Sequence, residues 1–249
     1  MRTTKLPEFT TNAWLRFDAI RRGIAIARPR TVLEIGAGEG AFAAWIAPRV
    51  DYLGIEHDDR SRAMAQTRLV RAGGGGRLVP SLDDVTATDF DVVCAFEVLE
   101  HIEDDARALA EWRARLRPGG HLLLSVPARA HRYGPFDEMV GHFRRYERDE
   151  LRTRLAEVGL STVRWTCHGA GLGQVLEAGR NLVARRRAPA AAATTAAERT
   201  AASGRLLQPH STVGVVACAA LATPFRVIQA PFAGTDCGTG YVVVARSAQ

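Results

Sequence analysis

The stretch TVLEIGAGEG, residues 31–40, decides the fold. An apolar, largely β-branched run from Val32 to Ile35 breaks directly into glycines at 36, 38 and 40, and AFAAWIAPR then resumes with helical spacing until Pro48. Strand, glycine turn and helix in that order put the glycines where a backbone turns sharply and can lie against a ligand. The unit repeats outward. DYLGIE (51–56) reads as a strand, and HDDRSRAMAQTRLVRA (57–72) as a helix with Asp58 and Asp59 in its first turn and Gly73–Gly76 at its end. DFDVVCAFEVLEH (89–101) is a third clear strand, residues 104–116 another helix, and RPGGHLLLSVPA (117–128) a turn and a fourth strand. Beyond the loop 129–146, RDELRTRLAEVGL (148–160) predicts a helix ended by Gly159, STVRWTC (161–167) a strand, and GYVVVARS (240–247) the last strand. Strands alternating with helices of about 10–15 residues imply right-handed crossovers and a mainly parallel sheet covered on both faces, an α/β doubly wound fold.

Composition agrees with that reading and removes others. The chain has 249 residues, 47% hydrophobic and 24% charged, enough to bury a core and unlike a fibrous or disordered chain. The longest apolar run, Val213–Ala222, is about half of the roughly 20 residues that a bilayer-spanning helix needs. The opening MRTTKLPEF lacks the apolar core of a signal peptide, so a cytoplasmic protein is expected. Cys94, Cys167, Cys218 and Cys237 stand far apart with no CxxC pair, which predicts small buried hydrophobes and neither a disulfide frame nor a metal site. The net charge of +6 could suit a polyanion. Lys5 is the only lysine against many arginines and alanines, however, a bias that argues against a nucleic-acid partner.

Before the first strand, Trp14, Phe17, Ile20, Ile24 and Ala27 recur at helical spacing, so residues 1–29 form an N-terminal helical cap on a core of 30–168. Residues 169–224 read as an insertion and 225–249 as the segment whose strand completes the core sheet. Within the insertion, 172–187 suggests a helix, and 188–204 (APAAAATTAAERTAASG) is low complexity, read as a mobile linker or frayed helix. The apolar stretch that follows suits a lid, an interface for a homo-oligomer, or a membrane-touching surface.

Two acids stand out against this frame. Glu34 sits in an otherwise apolar strand, where burial is costly unless a cation, a hydrogen-bonding group or water meets it. Glu56 ends the second strand about twenty residues after the glycines, where a carboxylate can accept two hydrogen bonds from ribose hydroxyls. Then come EVLEHIEDD (97–105) at the end of a strand and LRPGG (116–120) at crossover distance.

Together VLEIGAGEG, IEHDD, FDVVCAFEVLEHIEDD and LRPGGHLLLSVP resemble, in order, the motifs of class I S-adenosylmethionine-dependent methyltransferases, particularly the ubiquinone-biosynthesis type and its small-molecule relatives. The resemblance spans about residues 30–168 plus the last strand. It implies a Rossmann-like, seven-stranded, mainly parallel sheet with an antiparallel last strand, an N-terminal helix and an insertion before that strand. It also implies that Glu34, Gly36, Ala37, Gly38 and Gly40 surround the methionyl part of S-adenosylmethionine, that Glu56 holds the ribose, and that His57 lies beside the adenine. Relatives place an acid near the adenine amino group; here VPSLDDV puts Ser81 at that place with Asp83 displaced, leaving the backbone of Leu82 to serve. Glu97 falls near the charged methionyl end, where an anion suits a sulfonium and an ammonium.

The acceptor is expected at HRYGPFDEMVGHFRRYERDEL (131–151), which follows the fifth strand of the family pattern and so lies outside the carboxyl ends of the strands. His131, Tyr133, Arg144, Arg145 and Tyr146 are its candidate substrate residues, the arginines as clamps for a carboxylate or phosphate. His142 ranks first as a base and His101 second, since imidazole titrates near neutrality. The reading is methyl transfer to an oxygen of a small metabolite, an anionic one among the options, without a metal. Nitrogen and carbon acceptors, and an inactive cofactor-binding partner protein, are the alternatives. An RNA-modifying enzyme is weakened because Phe96-Glu97-Val98-Leu99 stands where amino-group methylation of nucleic acid uses an Asn-Pro-Pro-Tyr-like segment.

Overall fold

A computed structural model describes residues 7–191, 199 and 211–248. Its elements are α1 (Thr11–Ala27), β1 (Thr31–Ile35), α2 (Ala41–Ile46), β2 (Asp51–Ile55), α3 (Asp59–Arg71), β3 (Arg77–Val79), β4 (Phe90–Phe96) and α4 (Asp105–Ala114). They continue as β5 (Leu116–Pro127), α5 (Pro135–Val140), α6 (Arg148–Glu157), β6 (Leu160–His168), α7 (Leu172–Ala191), α8 (Thr212–Ile228) and β7 (Gly240–Ser247). The seven strands lie in the order β3-β2-β1-β4-β5-β7-β6. Pairing from β3 to β5 is parallel, whereas β7 runs antiparallel to both β5 and β6.

Strand alternation divides the core into two layers. Leu33, Val93, Leu122, Leu124, Val243 and Ala245 face α4 and α6, where Leu109, Trp112, Leu151 and Leu155 bury their side chains. Val32, Val92, Cys94, Leu123, Val242 and Val244 face the other way, against Trp14, Phe17 and Ile20 of α1, Phe42 of α2 and Leu69 of α3. Strands buried on both sides carry near-continuous apolar runs, which is why VVCAF and YVVVA read so clearly as strands.

Several local outcomes differ from the pattern. The three-residue β3 was not separately visible, because RLV after four glycines carries no period of its own. The low-complexity expectation at 188–204 falls partly on α7, which extends to Ala191, and otherwise on positions outside the described residues except 199. The apolar stretch 213–222 lies within α8, which runs from Thr212 to Ile228 and so crosses the division placed at 224/225. Of the cysteines, Cys94 and Cys167 are buried, but Cys218 is half-buried and Cys237 exposed, because the latter sits in the turn before β7 and not in a core element. Among the described residues, no helix is long and apolar enough to cross a membrane.

Candidate active site

Every strand of the parallel part ends at one edge of the sheet, and a cavity of about 1110 Å³ opens there. That exceeds the space needed by one drug-sized ligand and leaves room for two bound molecules. Its first wall is the β1–α2 turn. Gly36 and Gly38 adopt positive φ of 69° and 54°, and a methyl placed on Gly38 would meet nothing within 4 Å, so the backbone there is open to the cavity. Gly40 also has positive φ, 80°, but a methyl on it would come within 2.6 Å of Ala65 Cα; this glycine lets α2 approach α3 and lies outside the cavity.

Glu56, at the end of β2, has one carboxylate oxygen 2.7 Å from the Gly38 N–H and the other 2.9 Å from the Asp58 N–H. Two backbone donors fix the side chain across the mouth of the glycine turn, with lone pairs left for a ligand. His57 follows it, largely exposed, on the cavity wall. Glu34 also faces the cavity, and its burial is met by the Tyr52 hydroxyl, which donates to it at 2.6 Å. Burial still pushes its carboxyl up to about 8.

The opposite wall comes from the ends of β4 and β6 and from α1, α5 and α7. Glu97 has a positive φ of 59°, accepts from Ser125 Oγ at 2.9 Å and lies 3.7 Å from an Arg16 guanidinium nitrogen. Burial opposes its charge, but the Arg16 guanidinium and the Ser125 hydroxyl outweigh that and hold the carboxyl below its usual range. His168, at the end of β6, is buried with neither ring nitrogen hydrogen-bonded among the described residues, and burial lowers it to about 4, so it is neutral at physiological pH. Asp137 is the hub. Its carboxylate accepts from the Gly134 N–H (2.9 Å), from Arg145 Nη2 (2.7 Å) and Nε, and pairs with His142 Nδ1 at 2.7 Å. Arg145 also grips Glu177 of α7, which in turn takes Arg132 at 2.6 Å. His101 packs edge-on against His142, ring centroids 4.6 Å apart, and burial lowers it to about 4.

The fold thus brings Glu34, Gly36, Ala37, Gly38, Glu56, His57, Glu97, His101, His142 and Arg145 to one cavity. It does not bring Gly40, Ser81, Leu82, His131, Tyr133, Arg144 or Tyr146 there. Ser81 and Asp84 cap the short turn 82–84, and the Leu82 carbonyl accepts from Arg115. His131 is exposed beside Glu147, and the Tyr133 hydroxyl donates to the His142 carbonyl. Residues Phe143 to Arg145 belong to no helix or strand, and Tyr146 bridges Ala128. Arg144 and Tyr146 both reach Asp105 at 2.9 Å on the α4 side, and only Arg145 turns to the cavity, where Asp137 and Glu177 already engage it. Sequence reasoning passed over Arg16, Asp137, His168, Glu177 and Arg180. Asp137 looks like an ordinary first-turn acid of a helix, and Glu177 and Arg180 lie in the stretch where patterning fades.

Strand order, glycine turn, ribose-type acid and acidic β4 end define a class I S-adenosylmethionine-dependent methyltransferase. Residues 13–164, more than half of the chain, match the family described as a methyltransferase domain, and the chain belongs to that family. It is 34% identical over 155 residues to a probable S-adenosylmethionine-dependent methyltransferase of Mycolicibacterium smegmatis, covering 59% of this chain and 58% of that protein. It is 28% identical over 117 residues to a ubiquinone biosynthesis O-methyltransferase of Alkalilimnicola ehrlichii, covering 45% and 47%. The chain therefore spans about half the length of the curated relatives it matches. Among solved structures, the N-methyltransferase NodS of Bradyrhizobium japonicum with bound S-adenosyl-L-homocysteine aligns at 25% identity and a TM-score of 0.53, over 64% of this chain and 80% of that one.

S-adenosylmethionine is the cofactor of this class, and the residues present fit it. The open backbone at Gly38 makes a cradle that a side chain would fill, Glu56 is fixed beside it, and the ionised Glu97 faces a space suited to a cationic ligand.

Proposed function

We propose that this protein transfers the methyl group of S-adenosylmethionine to a hydroxyl oxygen of a small molecule. The cofactor supplies an activated methyl on a sulfonium and its own leaving group, so the protein's share is binding, orientation and handling of the acceptor proton. Glu56 would hold the ribose hydroxyls, the Gly36–Gly38 backbone would border the methionyl end, and Glu97 would face the positive charge. Phe96, Phe136 and Phe143 line the acceptor side and exclude water.

The observation that carries the oxygen reading is the pair Asp137–His142. A buried carboxylate 2.7 Å from Nδ1 fixes the imidazole's orientation and directs Nε2 inward, which lowers the cost of deprotonating a hydroxyl in that half of the cavity. Arg145 is not a substrate clamp in this reading; it keeps Asp137 ionised and in place, and Asp137 is held below the usual carboxylate range by these partners despite its burial. The acceptor's anion, where it has one, meets Arg180 instead, whose Nε is buried without a hydrogen-bond partner on the cavity wall.

The test separates cofactor from acceptor. Calorimetry with S-adenosylhomocysteine should give binding that Glu56→Ala weakens at least tenfold, since two ribose hydrogen bonds are lost at about 1 kcal/mol each. His142→Ala should leave that affinity within twofold and lower turnover of a hydroxylated acceptor by about 10²–10⁴. Absence of binding by the folded chain would reject the cofactor assignment. Turnover only of amines, unaffected by His142→Ala, would replace oxygen with nitrogen.

A further inference from the structure

Two side chains on the cavity wall stand outside the network around Asp137. His168 is 3% exposed, and neither ring nitrogen has a hydrogen-bond partner among the described residues. Its seat depends on the first residue of β7: a methyl on Gly240 would lie 2.5 Å from His168 Nε2, so the bare glycine makes room for the imidazole. Arg180, three residues beyond Glu177 on α7, has a buried Nε that is likewise unpartnered, and its guanidinium carbon lies 4.8 Å from the centre of the Phe136 ring. The ring face steadies the cation without occupying an N–H donor. Both side chains line the cavity, and both stand within electrostatic reach of Glu97. Buried donors without acceptors are costly unless a ligand meets them.

The charges around them pair off and leave one over. Arg145 engages Asp137 and Glu177, Arg132 also takes Glu177, and Arg16 faces Glu97. Arg132, Arg145 and Arg16 thus balance Glu177, Asp137 and Glu97, while burial holds Glu100 in its protonated form. Arg180 is the cation outside this balance, and among the described residues no carboxylate forms an ion pair with it. Burial pushes its guanidinium down from the usual value, yet arginine keeps its charge in proteins. His168, neutral, adds a ring N–H and no charge. One cation and one neutral donor match a single negative charge spread over two oxygens, which is a carboxylate. A phosphate dianion would bring a second charge that nothing on this wall offsets. Phe136, Val140, Phe143 and Leu176 make the neighbouring surface apolar.

We propose that Arg180 and His168 form a carboxylate subsite, and that the methyl acceptor is therefore a hydroxy acid with an apolar body. The carboxylate is held by the Arg180 guanidinium and a His168 ring N–H, the body lies along Phe136 and Leu176, and the hydroxyl is turned to His142. This rests on the methyl-transfer reading and names its substrate class.

The test is calorimetry on the full chain, with and without saturating S-adenosylhomocysteine. The probes are 4-hydroxyphenylacetate and 3-hydroxyoctanoate, each beside its primary amide, which keeps the shape and removes the charge. At least one acid should bind about tenfold or more tighter than its amide, the scale of a hydrogen bond to a charged group. Arg180→Gln should bring acid and amide within about twofold of each other, and His168→Phe, a ring without a donor, should narrow the gap. Unchanged S-adenosylhomocysteine affinity reports that both variants are folded. If neither acid outbinds its amide, absence of binding included, the subsite is overturned, as it is by an acid preference undiminished in both variants. Failure to bind S-adenosylhomocysteine would strike the cofactor reading alone, and the acid–amide comparison on the chain without it would still decide the subsite.

Discussion

Glu34 carries the clearest pH signature of any single residue. Its carboxyl, ordinarily near 4.5, is pushed up to about 8 by burial, a shift the Tyr52 hydroxyl only partly offsets. Between those values the unfolded chain has released a proton that the folded chain keeps, so this residue's contribution to stability falls as pH rises from about 4.5 to 8 and does not return above it. Glu34→Gln should therefore raise the thermal midpoint of the cofactor-free protein relative to wild type at pH 8.5, with the gain shrinking as the pH is lowered to 5. A gap that is flat across that range, measured by thermal melts, would show Glu34 to be ionised in the fold. At this scale Gly36, Gly38, Glu34 and Glu56, which line the cavity, stand out in the sequence because each breaks a strong local pattern, whereas Gly40 stands out equally and lies elsewhere. Arg144 and Tyr146 were misplaced because density of chemical groups in a sequence says nothing of which side of a loop each one faces. Asp137 was invisible for the converse reason: its partners His142 and Arg145 lie a helix end away, and its own position suits a plain capping acid.

Among the elements, the β1–α2 turn shows that three glycines in one motif do different jobs. Gly38 opens toward the cavity, whereas Gly40 is pressed on the backbone of α3. Gly40→Ala would force α2 and α3 apart while straining a left-handed backbone, and should cost about 2 kcal/mol or more, readable as a lowered denaturation midpoint. S-adenosylhomocysteine should partly restore that midpoint by binding the folded state. Equal stability of variant and wild type would mean that α3 can shift freely. Sequence periodicity found α1, α3, α4 and α6 because each has one buried face, and found the long strands because both their faces are buried. It lost β3, three residues long, and the pairing of α8, whose contacts lie with an element two hundred residues earlier.

For the molecule as a whole, that pairing governs the cavity. α1 contributes Arg16, Asn12 and Phe17 to the cavity wall, and α8 packs on α1 and adds Cys218 to the lining. Arg226 forms a two-pronged pair with Asp18 at 2.6 and 2.8 Å and covers the Trp14 ring, while the Gln229 side chain donates to the Leu15 carbonyl at 2.6 Å. Arg226→Ala should cost about 1 kcal/mol, the scale of a half-buried ion pair with good geometry. Hydrogen exchange across residues 11–27 should quicken while that in β4 and β5 stays slow. Unchanged exchange in α1 would mean that the sheet alone holds it.

The sheet order has an outcome for how the molecule is made. β7, the last in sequence of the described strands, sits between β5 and β6, so among the described strands β6 has no neighbour until residues 240–247 arrive. His168 at the tip of β6 sits against Gly240. A chain lacking that strand can form the cavity walls carried by β1, β2 and β4, but His168 and the rest of β6 have no sheet to join. Closure of the cavity at the β6 wall therefore waits for residues 240–247.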